Sequence, residues 1–290
     1  MEYNKYFLYK RQISYDGGQT WVDTYPLETT TSGDPIATCD TLEECESVTP
    51  KFCATYNDGT SYIIDCTSTG DTLTSADTRG HSTAYSAMTE AVIGNCVTTI
   101  GTHALGSADN RELPSPYNLT SVTISDSVTT IKNSAFLACS ALIRCDIPNG
   151  VTSIGDIAFN SCESLTSVTI PSGVTVINKQ TFSSCHGLTR VVIHDNVVRI
   201  RYRAFYDCRG LTSVVIGNGV TDIEDGAFAY CANLQSILVH ATTPPIMTKL
   251  NIYAFQGTND CPIYVPAESV DAYKAASGWS SYASRIQAIP

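Results

Sequence analysis

From residue 119 to residue 233 the apolar positions return on a single step. Leu119, Leu142, Leu165, Leu188 and Leu211 stand 23 residues apart, and so do Phe136, Phe159, Phe182, Phe205 and Phe228, and Cys139, Cys162, Cys185, Cys208 and Cys231. Three residue types locked to one period over five copies mark an internal repeat, and a period of this length means a solenoid, propeller or array. With the leading Leu as position 1, apolar residues fall at 1, 4 and 6 (Leu165, Val168, Ile170) and again at 10 and 13 (Val151, Ile154). An Ala-Phe pair follows at 17 and 18, and the Cys at 21. Alternation at 4 and 6 predicts a short strand with one buried face. Pro148 and Pro171 at position 7 end it, and Gly150, Gly173 and Gly219 at position 9 supply the turn. Positions 10 to 13 predict a second extended piece, and the Ala-Phe-x-x-Cys segment predicts a closing turn of 3₁₀ or α-helix.

One such coil cannot stand alone, because its few buried side chains do not offset the backbone entropy of ordering the whole unit. Stacking neighbours cover its two open ends, so identical residues lie on one another from coil to coil. The pattern L-T-S-V-x-I-x-x-x-V-T-x-I-x-x-x-A-F-x-x-C resembles the BspA-like leucine-rich repeats of bacterial surface proteins. That resemblance runs over about residues 88 to 289. It implies a β-rich leucine-rich-repeat solenoid and roles in adhesion to host proteins or cells.

The expected architecture is a solenoid of about seven coils with a 23-residue period, an N-terminal β-hairpin region and a C-terminal α/β cap. Residues 1–27 read as a hairpin, with Asp16-Gly17-Gly18 at its turn. The string Ser14-Tyr15-Asp16-Gly17-Gly18-Gln19-Thr20-Trp21 resembles the Asp-box of sialidases, which there braces a turn. A single copy without an arginine triad reads as structural. Residues 28–50 form a Thr/Ser/Gly/Asp/Pro-rich linker with two cysteines. Residues 51–87 hold a second hairpin, turning at Asn57-Asp58-Gly59, and a polar lead-in. The solenoid occupies 88–260, with a degenerate first coil at Met88, an insertion around Ala108 to Pro116, and a last coil opening at Leu234. Residues 261–290 depart from the period as a cap: a strand over Cys261 to Pro266, a helix over Glu268 to Ser277, and a return strand over Ile286 to Ile289. Trp279 and Tyr282 read as packing of that lid, since an open solenoid end would expose core and sheet edge.

Composition adds less than the pattern does. The chain has 290 residues, 43% of them hydrophobic and 16% charged, with 28 acids against 17 bases and a net charge of −11. That balance argues against nucleic acid or an anionic membrane surface as partner. No apolar run is long enough to insert in a bilayer. The N-terminus enters strand-like sequence with no signal-type apolar region, so either a leader has been removed or the protein needs none, as a virion protein released by lysis would not. Of twelve cysteines, the five of the repeat and Cys145 read as small buried hydrophobes, aimed in parallel and poorly placed to bridge one another. Cys39, Cys45, Cys53 and Cys66 cluster outside the repeat, where one or two bridges are plausible.

No phosphate loop, HExxH or G-x-S-x-G is present, and the five histidines are scattered. The chain therefore reads as non-enzymatic, with no cofactor and no metal. Recognition falls to the outside of the rod. Outward strand positions 2, 3 and 5 are mostly Thr and Ser but vary at Ile143, Arg144, Asp146, Arg190, Val192, Val215 and Leu238. The coil opening at Leu188 gathers Arg190, Arg199, Arg201, Arg203 and Arg209 around Tyr202 and Tyr206, a composition suited to an interface. A plainer reading stands beside it, because one period beyond Arg199 and Arg201 lie Asp222 and Glu224. Candidate partner contacts are Arg144, Arg190, Tyr202, Arg203, Tyr206 and Tyr230. The expected function is extracellular recognition or adhesion, to a host-surface protein or glycan, by a secreted or surface protein or a bacteriophage tail or fibre component. Residues 1–27 would join other subunits of such an assembly. The alternative is a purely structural spacer without a ligand.

Overall fold

The computed structural model describes residues 7–9, 13–14, 21–22, 50–56, 61–65, 70–79, 85–107, 116–247 and 254–290. It is a β-solenoid of about nine turns rather than seven. Two parallel ladders run along it. The first uses positions 3 to 6, as in Arg190–Ile193, Ser213–Ile216 and Ser236–Val239. Its register is one period: Val191 pairs with Val214 and Val214 with Ile237. The second uses positions 12 and 13, as in Arg199–Ile200 and Asp222–Ile223, where Ile200 pairs with Ile223. Alternation sends positions 4 and 6 inward, so Val214 and Ile216 are buried while the residues between them are not.

The columns of the core follow from that register. Phe136, Phe159, Phe182, Phe205, Phe228 and Phe255 are fully or almost fully buried and stack in sequence, with centroids 4.8 to 5.6 Å apart and rings within 16° of parallel. The cysteine column is buried beside it with free thiols. Each thiol reaches back to the position 18 carbonyl of the coil before, Cys139 Sγ donating to Leu105 O at 3.3 Å, Cys162 Sγ to Phe136 O at 3.3 Å and Cys208 Sγ to Phe182 O at 3.1 Å. Burial pushes the Cys162, Cys185 and Cys208 thiols well above their ordinary range.

The closing segment is not the helical turn that its sequence predicts. Positions 16, 18 and 20 each donate a backbone N–H to the next coil, as Arg203 N does to Asp225 O, Phe205 N to Ala227 O and Asp207 N to Ala229 O. A helix would turn those N–H groups inward along its own axis. Aiming them all at a neighbour requires left-handed residues at 16 and 20, and these positions have φ between 52° and 62° in Ser134, Ala138, Ile157, Ser161, Gln180, Ser184, Arg203, Asp207 and Tyr230. Left-handed φ costs a non-glycine residue roughly 1–2 kcal/mol, and the inter-coil bonds offset it. The turns thus form a third ladder.

Both ends extend the rod. The tail does not leave the period as expected: Ile263 pairs in parallel with Ile237, and Ile286 pairs with Ile263 one 23-residue step later. The helix Val270–Ala275 lies between them where a second strand would be. Trp279 and Tyr282 close the Phe column, Trp279 Nε1 donating to Pro245 O at 2.7 Å and Phe255 N donating to the Tyr282 hydroxyl at 3.0 Å. The lid thereby satisfies backbone groups that would otherwise be orphaned.

At the other end, Pro50–Tyr56 and Ser61–Asp65 form the predicted second hairpin, and Pro50–Tyr56 runs antiparallel to the first solenoid strand, Met88–Ile93. The lead-in is less featureless than its polarity suggests, since Asp71–Leu73 joins the second ladder by pairing with Val97–Ile100. Near the N-terminus, Ile13–Ser14 pairs with Trp21–Val22 as the Asp-Gly turn predicts, but Phe7–Tyr9 pairs with Ser61–Asp65 instead of folding onto that hairpin. The Asp-box turn, most of the 28–50 linker, and Cys39, Cys45 and Cys66 lie outside the described residues. Cys53 is a free buried thiol on the central strand of the N-terminal sheet, not a member of a bridge, while Cys96 is disulfide-bonded.

Candidate recognition site

Two surfaces break the Thr/Ser monotony of the coils, and they lie on different faces. The first is on the strand face. Position 5 carries Val192, Val215 and Leu238, which pair in direct succession, and Leu238 pairs in turn with Tyr264 of the cap. An apolar column therefore runs across four adjacent rungs spaced about 4.8 Å apart. Val192 is 46% exposed, whereas the preceding rungs offer Asp146 and Thr169 at this position. Arg190 is exposed at position 3 of the first of these rungs.

The second surface is on the turn face, where position 16 of one coil lies beside positions 19 and 20 of the same and following coils. Arg203 has its guanidinium between two rings, with Cζ 4.9 Å from the centroid of Tyr202 and 4.6 Å from that of Tyr206. Its Nε is buried with no hydrogen-bond partner. Tyr206 meets Tyr230 of the next coil edge to face at 5.3 Å and 77°. Tyr230 is 38% exposed, and its hydroxyl accepts from Gln256 Nε2 at 3.3 Å. Beyond the rings, Asp207 Oδ1 accepts from Arg209 Nε at 2.9 Å and Oδ2 from Arg209 Nη2 at 3.1 Å, and His186 Nε2 lies 3.3 Å from the same Oδ2. Partial burial works against the charge on Asp207, but the Arg209 and His186 contacts prevail and hold its carboxyl below the usual range. Tyr206, Asp207, Arg209, Tyr230, Ala232 and Gly257 line an open surface cleft of about 370 Å³.

Of the six residues expected to contact a partner, Tyr202, Arg203, Tyr206 and Tyr230 come together and Arg144 and Arg190 do not. The latter pair are both at position 3 of the strand face, two coils apart, and Arg144 is held by Asp146 at 2.7 Å. Arg199 and Arg201 face Asp222 and Glu224 at 3.7 and 3.5 Å, as the 23-residue offset predicts. Sequence reasoning missed Asp207 and Gly257 as neighbours of Tyr230. All three occupy position 20, but a four-residue insertion before Ala254 hides Gly257 from a strict count. It missed Tyr264 because the tail was expected to leave the ladder.

The BspA type leucine rich repeat region is the sequence family that matches this chain, with six copies over residues 78–208 and 110–235. No curated protein matches it. Among solved structures it is similar to a leucine-rich repeat protein from Eubacterium ventriosum, at 28% identity and a TM-score of 0.48, over 58% of this chain and 42% of that one. It is also similar to the leucine rich repeat protein of T. pallidum, at 29% identity and a TM-score of 0.49, over 57% of this chain and 74% of that one. A leucine rich cell surface protein from Faecalibacterium prausnitzii shares 25% identity over 56% of this chain and 59% of its own, with a TM-score of 0.29. The chain thus spans less than half the length of the Eubacterium protein.

Proposed function

Since the chain belongs to the BspA type leucine rich repeat family, we propose that it is a non-enzymatic recognition protein, exposed outside the cell, that binds a host-surface protein through its strand face. One observation carries this reading: the column Val192, Val215, Leu238 and Tyr264, laid side by side by the register of four rungs. An unbroken outward line of apolar and aromatic side chains, exposed at Val192 and half-buried at Val215, Leu238 and Tyr264, offers apolar area to a partner, and a column that served only cohesion would point inward. Arg190 at its edge adds a donor of the kind enriched at interfaces.

The test replaces Val192, Val215 and Leu238 together by Thr, the residue type the outward positions otherwise favour. Binding of the full chain to a panel of host extracellular-matrix and epithelial surface proteins is then measured by biolayer interferometry. Loss of a wild-type signal in the triple variant supports the reading. A signal that survives unchanged removes the strand face as the contact. A blank panel for the wild-type chain favours the spacer reading, in which stacked pairs such as Arg201 with Glu224 are all that the surface charges do. Surface proteolysis of intact bacteria, set against mass spectrometry of purified virions, decides where the protein is displayed.

A further inference from the structure

We infer that the turn face carries a second, separate site: a cleft beside the packed Tyr206 and Tyr230 pair that takes a short neutral oligosaccharide running along the rod. The cleft has the three parts such a ligand needs. Tyrosine rings offer apolar faces and edges to the C–H face of a sugar, and here Tyr206 and Tyr230 stand at 77° to one another, so a ring lying on one meets the edge of the other. Beside them Asp207 and Arg209 set an acceptor and donors next to each other, the pairing that adjacent hydroxyls require. His186 also contacts the carboxylate, at Oδ2, so the pair is held before any ligand arrives. Lastly, the volume of about 370 Å³ is near the lower end for small-molecule sites.

The cleft also has a continuation. A second hollow of about 730 Å³ begins at Gly257 and Gln256 and ends at Ser281, Ser284 and Arg285 of the cap. Gly257 borders both hollows, and its surroundings leave no room for a side chain: an added Cβ would lie 2.9 Å from Tyr230 Cδ1. Its φ of +70° suits glycine as well. A larger residue here would push against the Tyr230 ring at the junction of the two hollows. The groove so formed follows the stacking axis and is lined by tyrosine rings, serine hydroxyls, the Gln256 amide and the charged groups of Asp207, Arg209, Asp260 and Arg285, and its length matches an unbranched chain of sugar rings and not a single ring.

Charge selects the neutral class. Every cation in the groove is already committed: Arg209 to Asp207, and Arg285 to Cys261 O at 2.7 Å and Thr258 Oγ1 at 2.9 Å. Arg203 is enclosed between Tyr202 and Tyr206 with its Nε sequestered. Asp207 and Asp260 stand at the surface of the groove, and the chain carries a net charge of −11. A sulfated or sialylated chain would meet two carboxylates, Asp207 and Asp260, and the lining bases Arg209 and Arg285, which already hold partners. Tyr230 adds a sign of its own. It occupies position 20, where other coils place Ala138, Ser161 and Ser184, at φ 61°. The turn ladder sets that left-handed backbone in each of these coils, so what distinguishes this one is the large aromatic side chain placed on it.

The full chain is applied to a printed array of short neutral oligosaccharides of the gluco, galacto, xylo and N-acetylglucosamine series, with heparin fragments and sialosides on the same slide. Retention of at least one neutral series is expected, weakened roughly tenfold or more in Tyr206→Ala and in Tyr230→Gly. Tyr230→Gly should melt no lower than the wild type, since glycine adopts the left-handed backbone freely, so its loss of binding is not a loss of fold. The strand-face triple Thr variant should keep its glycan signal, so this site and the protein-binding face fail independently. Retention of only the anionic probes, no retention at all, or wild-type binding by both tyrosine variants would overturn the proposal.

Discussion

The coils opening at Leu142 and Leu165 and those opening at Leu188, Leu211 and Leu234 share a period and a core, yet their backbones differ. In the second group the first ladder has strands of four residues, Arg190–Ile193, Ser213–Ile216 and Ser236–Val239. In the first group the strand is two residues at Arg144–Cys145, and between Leu165 and Ile170 there is none. Position 7 explains the contrast. Gly217 N and His240 N donate to the position 6 carbonyl of the coil before, Ile193 O and Ile216 O, at 2.8 and 2.9 Å. Pro148 and Pro171 have no N–H to give, so the last bond of each strand is missing and the ladder frays from that end. The second ladder opens at the same junction, between Ser153–Ile154 and Val176–Ile177, and there the Asn178 side-chain amide donates to Ile154 O at 2.6 Å in place of a backbone group. The turn ladder and the Phe column cross the junction without interruption. Cohesion along this rod therefore resides more in the turns and the aromatic column than in the sheet.

The largest test of that view removes a ring from each half. Phe159→Ala and Phe205→Ala should each cost about 3–5 kcal/mol and lower the unfolding midpoint in urea by similar amounts, because each ring stacks on two neighbours. A small effect in the proline-bearing half alone would break the comparison. Next in size, hydrogen exchange should show the amides of Val168 to Ile170 opening at least about fivefold faster than those of Val191 to Ile193, the equivalent of one net hydrogen bond of about 1 kcal/mol. Pro171→Ser restores a donor at position 7. It should raise protection around Val168 while changing global stability by less than about 1 kcal/mol, because the hydrogen bond gained is offset by unfolded-state entropy.

The cysteine column should behave alike in both halves. Burial holds Cys162, Cys185 and Cys208 as thiols well above neutral pH, so iodoacetamide should leave them unmodified in the native chain and alkylate them once denaturant is added, as intact-mass measurement would show. The smallest expected effect is electrostatic and confined to the second half. Asp207 has its carboxyl below the ordinary range. Its contribution to stability is therefore full above the ordinary carboxylate pKa and is lost as pH falls through the lowered folded value. Asp207→Asn should flatten that part of the acid dependence of the melting temperature, and an unaltered slope would count against the Arg209 and His186 contacts.

The tail and the turns show where reading the chain succeeded and where it stopped. Phe136 through Phe228 and Leu119 through Leu211 gave the core columns directly, and the degenerate first coil also aligned correctly: Met88, Val97, Ile100, Ala104 and Leu105 are all fully buried. The Arg201 and Glu224 pair was visible as an offset of one period. Position 20 was opaque, because Ala138, Ser184, Asp207 and Tyr230 share no chemistry. What they share is a left-handed φ. Ile263 and Ile286 do repeat the 23-residue step, but the helix Val270–Ala275 between them has the composition of a cap, and the composition masked the step.

The order of residues alone settled the period, the identity of every core column and the direction of stacking, because a side chain that must pack on its own copy is constrained to be the same in each coil. The folded chain alone decided that the turns are a third ladder, that the cap continues the first, and that Tyr206, Asp207, Tyr230 and Gly257 line one open cleft. Those features depend on which backbone groups of adjacent coils meet. That is fixed by the rise of the coil and by local φ, and neither of these obliges the residues involved to resemble one another.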